Sequence, residues 1–450
     1  MYIKRDIDSY LLKWKNDNHR KPLLLRGVRQ CGKTSAVRNL AKQFDSYIEI
    51  NLEKQVSLHS LFEGDIDIAN IIIRLELEAN KRIVPGETLI FIDEIQACPR
   101  AITALRYFYE DNPDLHIISA GSLLEFVLYS GSDKEKMDFP VGRVRSIYMY
   151  PFSFREFLQG MGRSDMVDYL DDYPLESGNN PVHDKMIQAY KTFLIVGGMP
   201  EAVAEYIDSK SILACQMIHR DILQSMIDDF DKYDRNVSAD ILRRVFEYAI
   251  HNVCSQTKAS SAISGVSAYY FEESIRLLRR AGLVFPVKAT TCDTLPLGAS
   301  EKETNKKLIV FDTGIYLTEC GLEANDILGA EVFDELNKGD IVEMQTGLEI
   351  IKYSDAYSAA SLYYWYRSGA NAELDYVIQN RNGILPIEVK ASKKGSMQSM
   401  YSFLDSFPEI PYGIRVSLED FSQYDRIHVY PVYSIFRLFC LAISKKTWKS

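Results

Sequence analysis

The chain has 450 residues, more than the ~250–300 at which a single core stops growing, so two or more domains are expected. Hydrophobic residues make up 46% and charged residues 25%, the balance of an ordinary globular protein able to bury sizeable cores. The net charge of −10 argues against a charge-driven coat on nucleic acid, while leaving room for a local basic groove.

In chain order, the first third alternates short apolar runs with amphipathic stretches. Leu23–Leu25 reads as a buried strand, Thr34–Gln43 as a helix, and Tyr47–Asn51 as an alternating strand. Ile68–Ala79 is helical, Leu89–Ile92 a buried strand, Ala101–Tyr109 helical and Leu115–Ser119 a further strand. Strands alternating with helices predict an α/β fold with a parallel sheet. From Phe152 to Ala281 the pattern is helical, over Phe154–Gln159, Val182–Leu194, Ser211–Asp228, Ala239–Cys254 and Tyr269–Ala281. Arg163–Asn180 is polar and reads as a loop or insertion, and Thr290–Asn305 as a loop or boundary. Strands return at Leu308–Phe311, Leu362–Tyr366, Leu374–Gln379 and Ile384–Val389, the last two flanking an Asn-Gly hairpin signal at Asn382-Gly383. The aromatics Tyr363, Tyr364, Trp365 and Tyr366 are expected to be sheet core rather than a stacking platform. The expected division is 1–155, 156–235, 236–290 and 306–450.

The seven cysteines form no CxxC pair, so neither a zinc site nor a disulfide framework is suggested. Met1–Asp6 is not followed by the apolar core of a signal peptide. No apolar run approaches the ~18–20 residues of a membrane helix. A cytoplasmic protein without membrane partners is expected, and Tyr433–Ile443, interrupted by Arg437, reads as core.

Gly27-Val28-Arg29-Gln30-Cys31-Gly32-Lys33-Thr34 fits G-x-x-x-x-G-K-[ST] at every defined position, between a buried strand and a helix. Glycines let the backbone wrap phosphates, and the following helix N-terminus favours their charge. The candidate nucleotide contacts are Gly27, Gln30, Cys31, Gly32, Lys33, Thr34 and Ser35. Lys33 would meet the β- and γ-phosphates of ATP and Thr34 would ligate Mg²⁺. Asp93-Glu94 ends the strand Leu89–Ile92. Asp93 would hold Mg²⁺ through water and Glu94 would polarise the attacking water.

These stretches resemble the bacterial and archaeal AAA-type ATPases with a C-terminal domain of the DUF4143 type. Further motifs agree in order: Gly142-Arg143 with Pro151-Phe152-Ser153-Phe154-Arg155-Glu156-Phe157, then Gly197-Gly198-Met199-Pro200-Glu201, then Asp312-Thr313-Gly314. The resemblance implies a hydroxyl sensor where this chain has Ala120-Gly121-Ser122; Ala120 departs from the pattern, leaving Ser122 or Ser119. It also implies that Arg143 could act as a finger or sensor on the γ-phosphate, with an ordinary surface ion pair as the equal alternative.

In the middle, Ala239–Cys254, Tyr269–Ala281 and the strand Leu283–Val287 have the look of a winged helix, which the resemblance also implies. The second helix opens on Tyr269, Tyr270, Glu272 and Glu273, with Arg276, Arg279 and Arg280 later. A packing and coupling role is therefore favoured over DNA reading. Near the C-terminus, Asp375, Glu388 and Lys390 form D-x(n)-E-x-K, the pattern of PD-(D/E)xK nucleases. Two carboxylates there would bind Mg²⁺ and the lysine would orient water, with Glu343 or Glu349 completing the set. The expectation is an ATPase coupled to an α/β nuclease-like domain acting on DNA. The alternative is a nucleotide-dependent switch on a DNA or protein partner without nuclease activity. The oligomeric state is open.

Overall fold

The computed structural model describes residues 2–121, 139–172, 180–232, 237–322, 327–328, 339–367, 372–380, 383–391 and 395–439. The first part runs α1 (Ile7–Lys15), β1 (Leu23–Arg26), α2 (Lys33–Ala41), β2 (Ser46–Asn51), α3 (Ile68–Ala79), β3 (Thr88–Asp93), α4 (Pro99–Asp111), β4 (His116–Ala120) and β5 (Arg145–Tyr148). The strands form one parallel sheet in the order β2-β3-β4-β1-β5. Every residue of β1, β3 and β4 is buried, which is why these strands read as unbroken apolar runs: helices cover both faces. Alternation divides them. Leu23, Leu25 and Phe91 join one core, while Leu24, Ile90 and Ile92 join the other.

The middle is helical: α5 (Phe154–Gly160), α6 (Ser164–Asp172), α7 (His183–Val196), α8 (Pro200–Ser209), α9 (Ile212–Asp228), α10 (Ala239–His251) and α11 (Ala268–Arg280). Serine caps open four of these helices, at Ser153, Ser211, Ser238 and Ser267. The expected loop over Arg163–Asn180 is corrected in its first half. Met166, Val167 and Leu170 share one face of α6 and are buried, so the acidic composition belongs to its solvent side.

Two long strands follow, β6 (Val284–Thr290) and β7 (Glu301–Val310), then α12 (Thr313–Glu319), α13 (Gly339–Tyr353), β8 (Leu362–Arg367), β9 (Ala372–Asn380), β10 (Gly383–Lys390), α14 (Gln398–Ser406), β11 (Gly413–Ser417), β12 (Ser422–Tyr424) and β13 (Ile427–Pro431). They build a second, mixed sheet in the order β12-β13-β11-β10-β9-β8-β6-β7. The expected boundary near Lys306 falls inside β7, and β7 pairs antiparallel with β6, which pairs with β8. Arg381 and Asn382 of the expected hairpin turn lie outside the described residues. Gly383 pairs back to Asn380 with a φ of +116°. Tyr364 and Trp365 are buried, as expected for core.

A single core cluster runs from Ile7 in α1, through the middle helices, to Leu438 beyond β13. Among the described residues no helix is long and apolar enough to cross a membrane.

Candidate functional site

β1 delivers the chain to Gly27, where φ is +150° and a Cβ would lie 2.1 Å from the Met149 carbonyl oxygen. Only glycine fits there. The loop then turns through Gln30, at φ +62°, and Gly32, at φ +97°, which opens α2. Cys31 is buried, its thiol facing the Met149 carbonyl at 3.6 Å, so it packs the loop from beneath. Lys33 Nζ donates to the Gly27 and Val28 carbonyls, both at 2.9 Å. These bonds place the ammonium over the loop, within reach of any phosphate bound in it. Thr34 Oγ1 donates to Asp93 Oδ2 at 3.0 Å, and the Glu94 N–H donates to Asp93 Oδ1 at 3.0 Å. Burial raises the Asp93 pKa, partly offset by the Thr34 hydrogen bond. Glu94 stands at φ +48° and accepts from Gln96 Nε2. Thus loop, hydroxyl and acidic pair meet at the carboxyl ends of β1 and β3. A hydroxyl beside a carboxylate is a hard oxygen set that fits hydrated Mg²⁺. Ser35 lines a cavity of about 290 Å³ with Arg5, Gly32, Asn39, Phe152 and Pro200, against the outer side of the loop.

The loop is held by a residue with no sequence signal of its own. Arg5, buried, donates to the carbonyls of Cys31 (3.1 Å) and Tyr150 (2.7 Å), and pairs with Glu156 at 3.0 Å. Glu156 also closes a capping box with Ser153 at the start of α5. On the other side, Arg29 of the loop forms an ion pair with Asp229 at the end of α9. Nucleotide loop and middle helices are therefore in direct contact.

Arg143 is not brought to this loop. It lies two residues before β5, whose Arg145 pairs with Leu23 at the start of β1, whereas the loop follows the other end. Its guanidinium pairs with Glu110 at 2.8 Å on the surface. Ser122 lies outside the described residues. Ser119, on β4, is fully buried, and its hydroxyl has no hydrogen-bond partner among the described residues.

In the second sheet, Asp375 on β9 accepts the Val389 N–H of β10 at 2.7 Å, and Glu388 pairs with Lys390 at 2.7 Å. The two carboxylates face different cations. Asp375 faces Lys307, a buried residue of β7 that also pairs with Glu343 (2.8 Å) and with Glu373. Glu343, on α13, joins this cluster. Glu349 instead accepts the Phe154 N–H at the start of α5. Burial disfavours the Lys307 ammonium, yet Glu343, Asp375 and Glu373 together hold its pKa well above the usual lysine range. Burial and the Asp375 charge push Glu343 up to about 8. Glu388 keeps one buried oxygen without a partner among the described residues. Among the described residues, however, no group of three or more acidic, histidine or cysteine side chains is arranged to hold a metal ion. An ammonium at the centre of the cluster does not fit a divalent cation there.

A family model for an AAA domain matches residues 19–158. Two domains of unknown function follow, DUF8612 over 187–326 and DUF4143 over 338–435. The chain carries a P-loop ATPase fold of the AAA type, joined to a DUF4143 domain. Among solved structures it is similar to the Walker-type ATPase PABY2304 of Pyrococcus abyssi, at 15% identity and TM-score 0.42, covering 70% of this chain and 95% of that one. It is also similar to the Aeropyrum pernix ORC1 protein solved in complex with DNA, at 10% identity and TM-score 0.28, covering 72% and 91%. Comparison with curated proteins gives no match.

Proposed function

We propose that the chain is a Mg²⁺-dependent ATP hydrolase that works as a nucleotide-driven switch on DNA. The observation that carries this reading is the meeting of Lys33, Thr34, Asp93 and Glu94 around a loop whose Arg29 is tied to Asp229. On nucleotide binding, Lys33 exchanges its two carbonyl partners for phosphate oxygens. Thr34 and Asp93 would hold Mg²⁺, which neutralises phosphate charge. Glu94 polarises and orients the attacking water. Because Arg29 is a loop residue, phosphate arrival and loss reach the middle helices through Asp229. Titration of the full chain with Mg²⁺·ATP tests this: wild type binds, Lys33→Ala does not, and retained binding by Lys33→Ala contradicts the site.

We read the DUF4143 domain as a nuclease-like fold kept for control rather than cleavage. Lys307, seated among Glu343, Glu373 and Asp375, supports this. Plasmid DNA incubated with the protein, ATP and Mg²⁺ or Mn²⁺ is expected to stay intact. Cutting that Lys390→Ala abolishes would establish a nuclease instead.

A further inference from the structure

A groove of about 900 Å³ with a basic lining lies between α11 and the β6–β7 hairpin of this acidic chain. Six cations line it, against two carboxylates, Glu272 and Glu301. Three of the cations are neutralised locally: Lys288 pairs with Glu301, Lys306 with Glu272, and Arg276 with Glu273 on its own helix. Lys258, Arg279 and Lys302 have no carboxylate partner within ion-pair distance among the described residues. Lys302 rests 5.0 Å over the Tyr366 ring, and that ring's hydroxyl accepts from Asn305 at 2.7 Å. Cations with an amide, Asn305, along a recess suit a phosphodiester backbone.

The placement of charge distinguishes single from double strands. A duplex is read by a projecting element that enters its major groove with basic or amide side chains at the start of a helix. Here the start of α11 carries exposed Tyr269 and Tyr270, its Glu272 and Glu273 pair with Lys306 and Arg276, and the remaining cations line the recess. The recess between α11 and the β6–β7 hairpin offers its cations to a strand laid within it. Arg276 and Arg279 also line a second cavity, which Gly27 and Val28 of the nucleotide loop border. The contact there is close: a Cβ on Gly282, just past α11, would come within 3.3 Å of the Val28 nitrogen.

We propose that this groove binds a single nucleic-acid strand through its phosphates. The proposal rests on the DNA-directed reading above and specifies its ligand. The test uses the full chain without nucleotide, a labelled oligothymidylate, and a duplex of the same length, across a salt series. The expected result is tighter binding of the single strand. Replacing Lys258→Ala and Lys302→Ala together should weaken it by about tenfold and lower the slope of log affinity against log salt by about 1.4, at ~0.7 per lost phosphate contact. Unchanged affinity and slope in that variant would overturn the proposal, as would a duplex bound at least as tightly, or competition by polyglutamate equal to that by oligothymidylate. Neither lysine touches the nucleotide loop, so ATP turnover of the variant should remain at the wild-type rate. Loss of turnover in the wild type would sink the ATPase reading without touching strand binding.

Discussion

Lys307 decides how the second sheet is read at the level of single residues. A sequence motif placed Asp375 and Glu388 around a metal, yet the structure puts an ammonium between Asp375, Glu343 and Glu373. Removing it leaves three carboxylates without a counter-charge. Lys307→Met should therefore cost about 3–5 kcal/mol of stability, read by denaturant unfolding. The same cluster sets a pH dependence. The folded-state pKa of Glu343, about 8, stands above the ~4.3 of an ordinary glutamate, so folding takes up a proton. Stability from that proton is complete below about pH 4.3 and lost as pH rises through about 8. The unfolding midpoint of wild type should fall across that window. In Glu343→Gln that part of the fall should be absent, and an unchanged profile would contradict the assignment.

Among the elements, motifs known only by resemblance acquire physical roles. Gly197-Gly198 ends α7, and Asp312-Thr313-Gly314 opens α12. The Asp312 carboxylate accepts the Gly198 N–H at 2.6 Å and the Ile315 N–H at 3.1 Å. A Cβ on Gly197 would lie 2.2 Å from that carboxylate, so the glycine is required by close approach as well as by its φ of +68°. Asp312→Ala strands two buried donors and should cost about 1.5–3 kcal/mol, measured as a shift in unfolding free energy with ATP binding retained. β1, β3 and β4 of the parallel sheet were legible because they are apolar on both faces and each ends in a turn or acid of known chemistry; β5, with one buried residue, was not. The nucleotide loop was legible for the same reason. Arg5, Asp229 and Lys307 were not, because their roles come from partners 26 or more positions away. Lys307 left only a weak trace, a charge at the start of the apolar run Leu308–Phe311. The expected loop at Ser164–Asp172 failed because an amphipathic helix with an acidic outer face reads as polar over so short a span.

At the scale of the whole molecule, the three matched segments share one core and direct hydrogen bonds. The Glu349 carboxylate accepts the Phe154 N–H, Lys352 donates to the Phe152 carbonyl at 2.8 Å, and the Tyr148 N–H donates to the Ala356 carbonyl at 2.8 Å. The nucleotide loop thus meets the middle helices at Asp229, and the start of α5 meets α13 at Glu349. The proposed switch depends on hydrolysis at the loop. The most direct measurement is ATP turnover by wild type and Glu94→Gln at saturating Mg²⁺·ATP, with binding followed in parallel. A water-orienting role for Glu94 predicts that Glu94→Gln binds ATP as wild type does and hydrolyses it about 10²–10⁴-fold more slowly. Turnover by Glu94→Gln at the wild-type rate would contradict it.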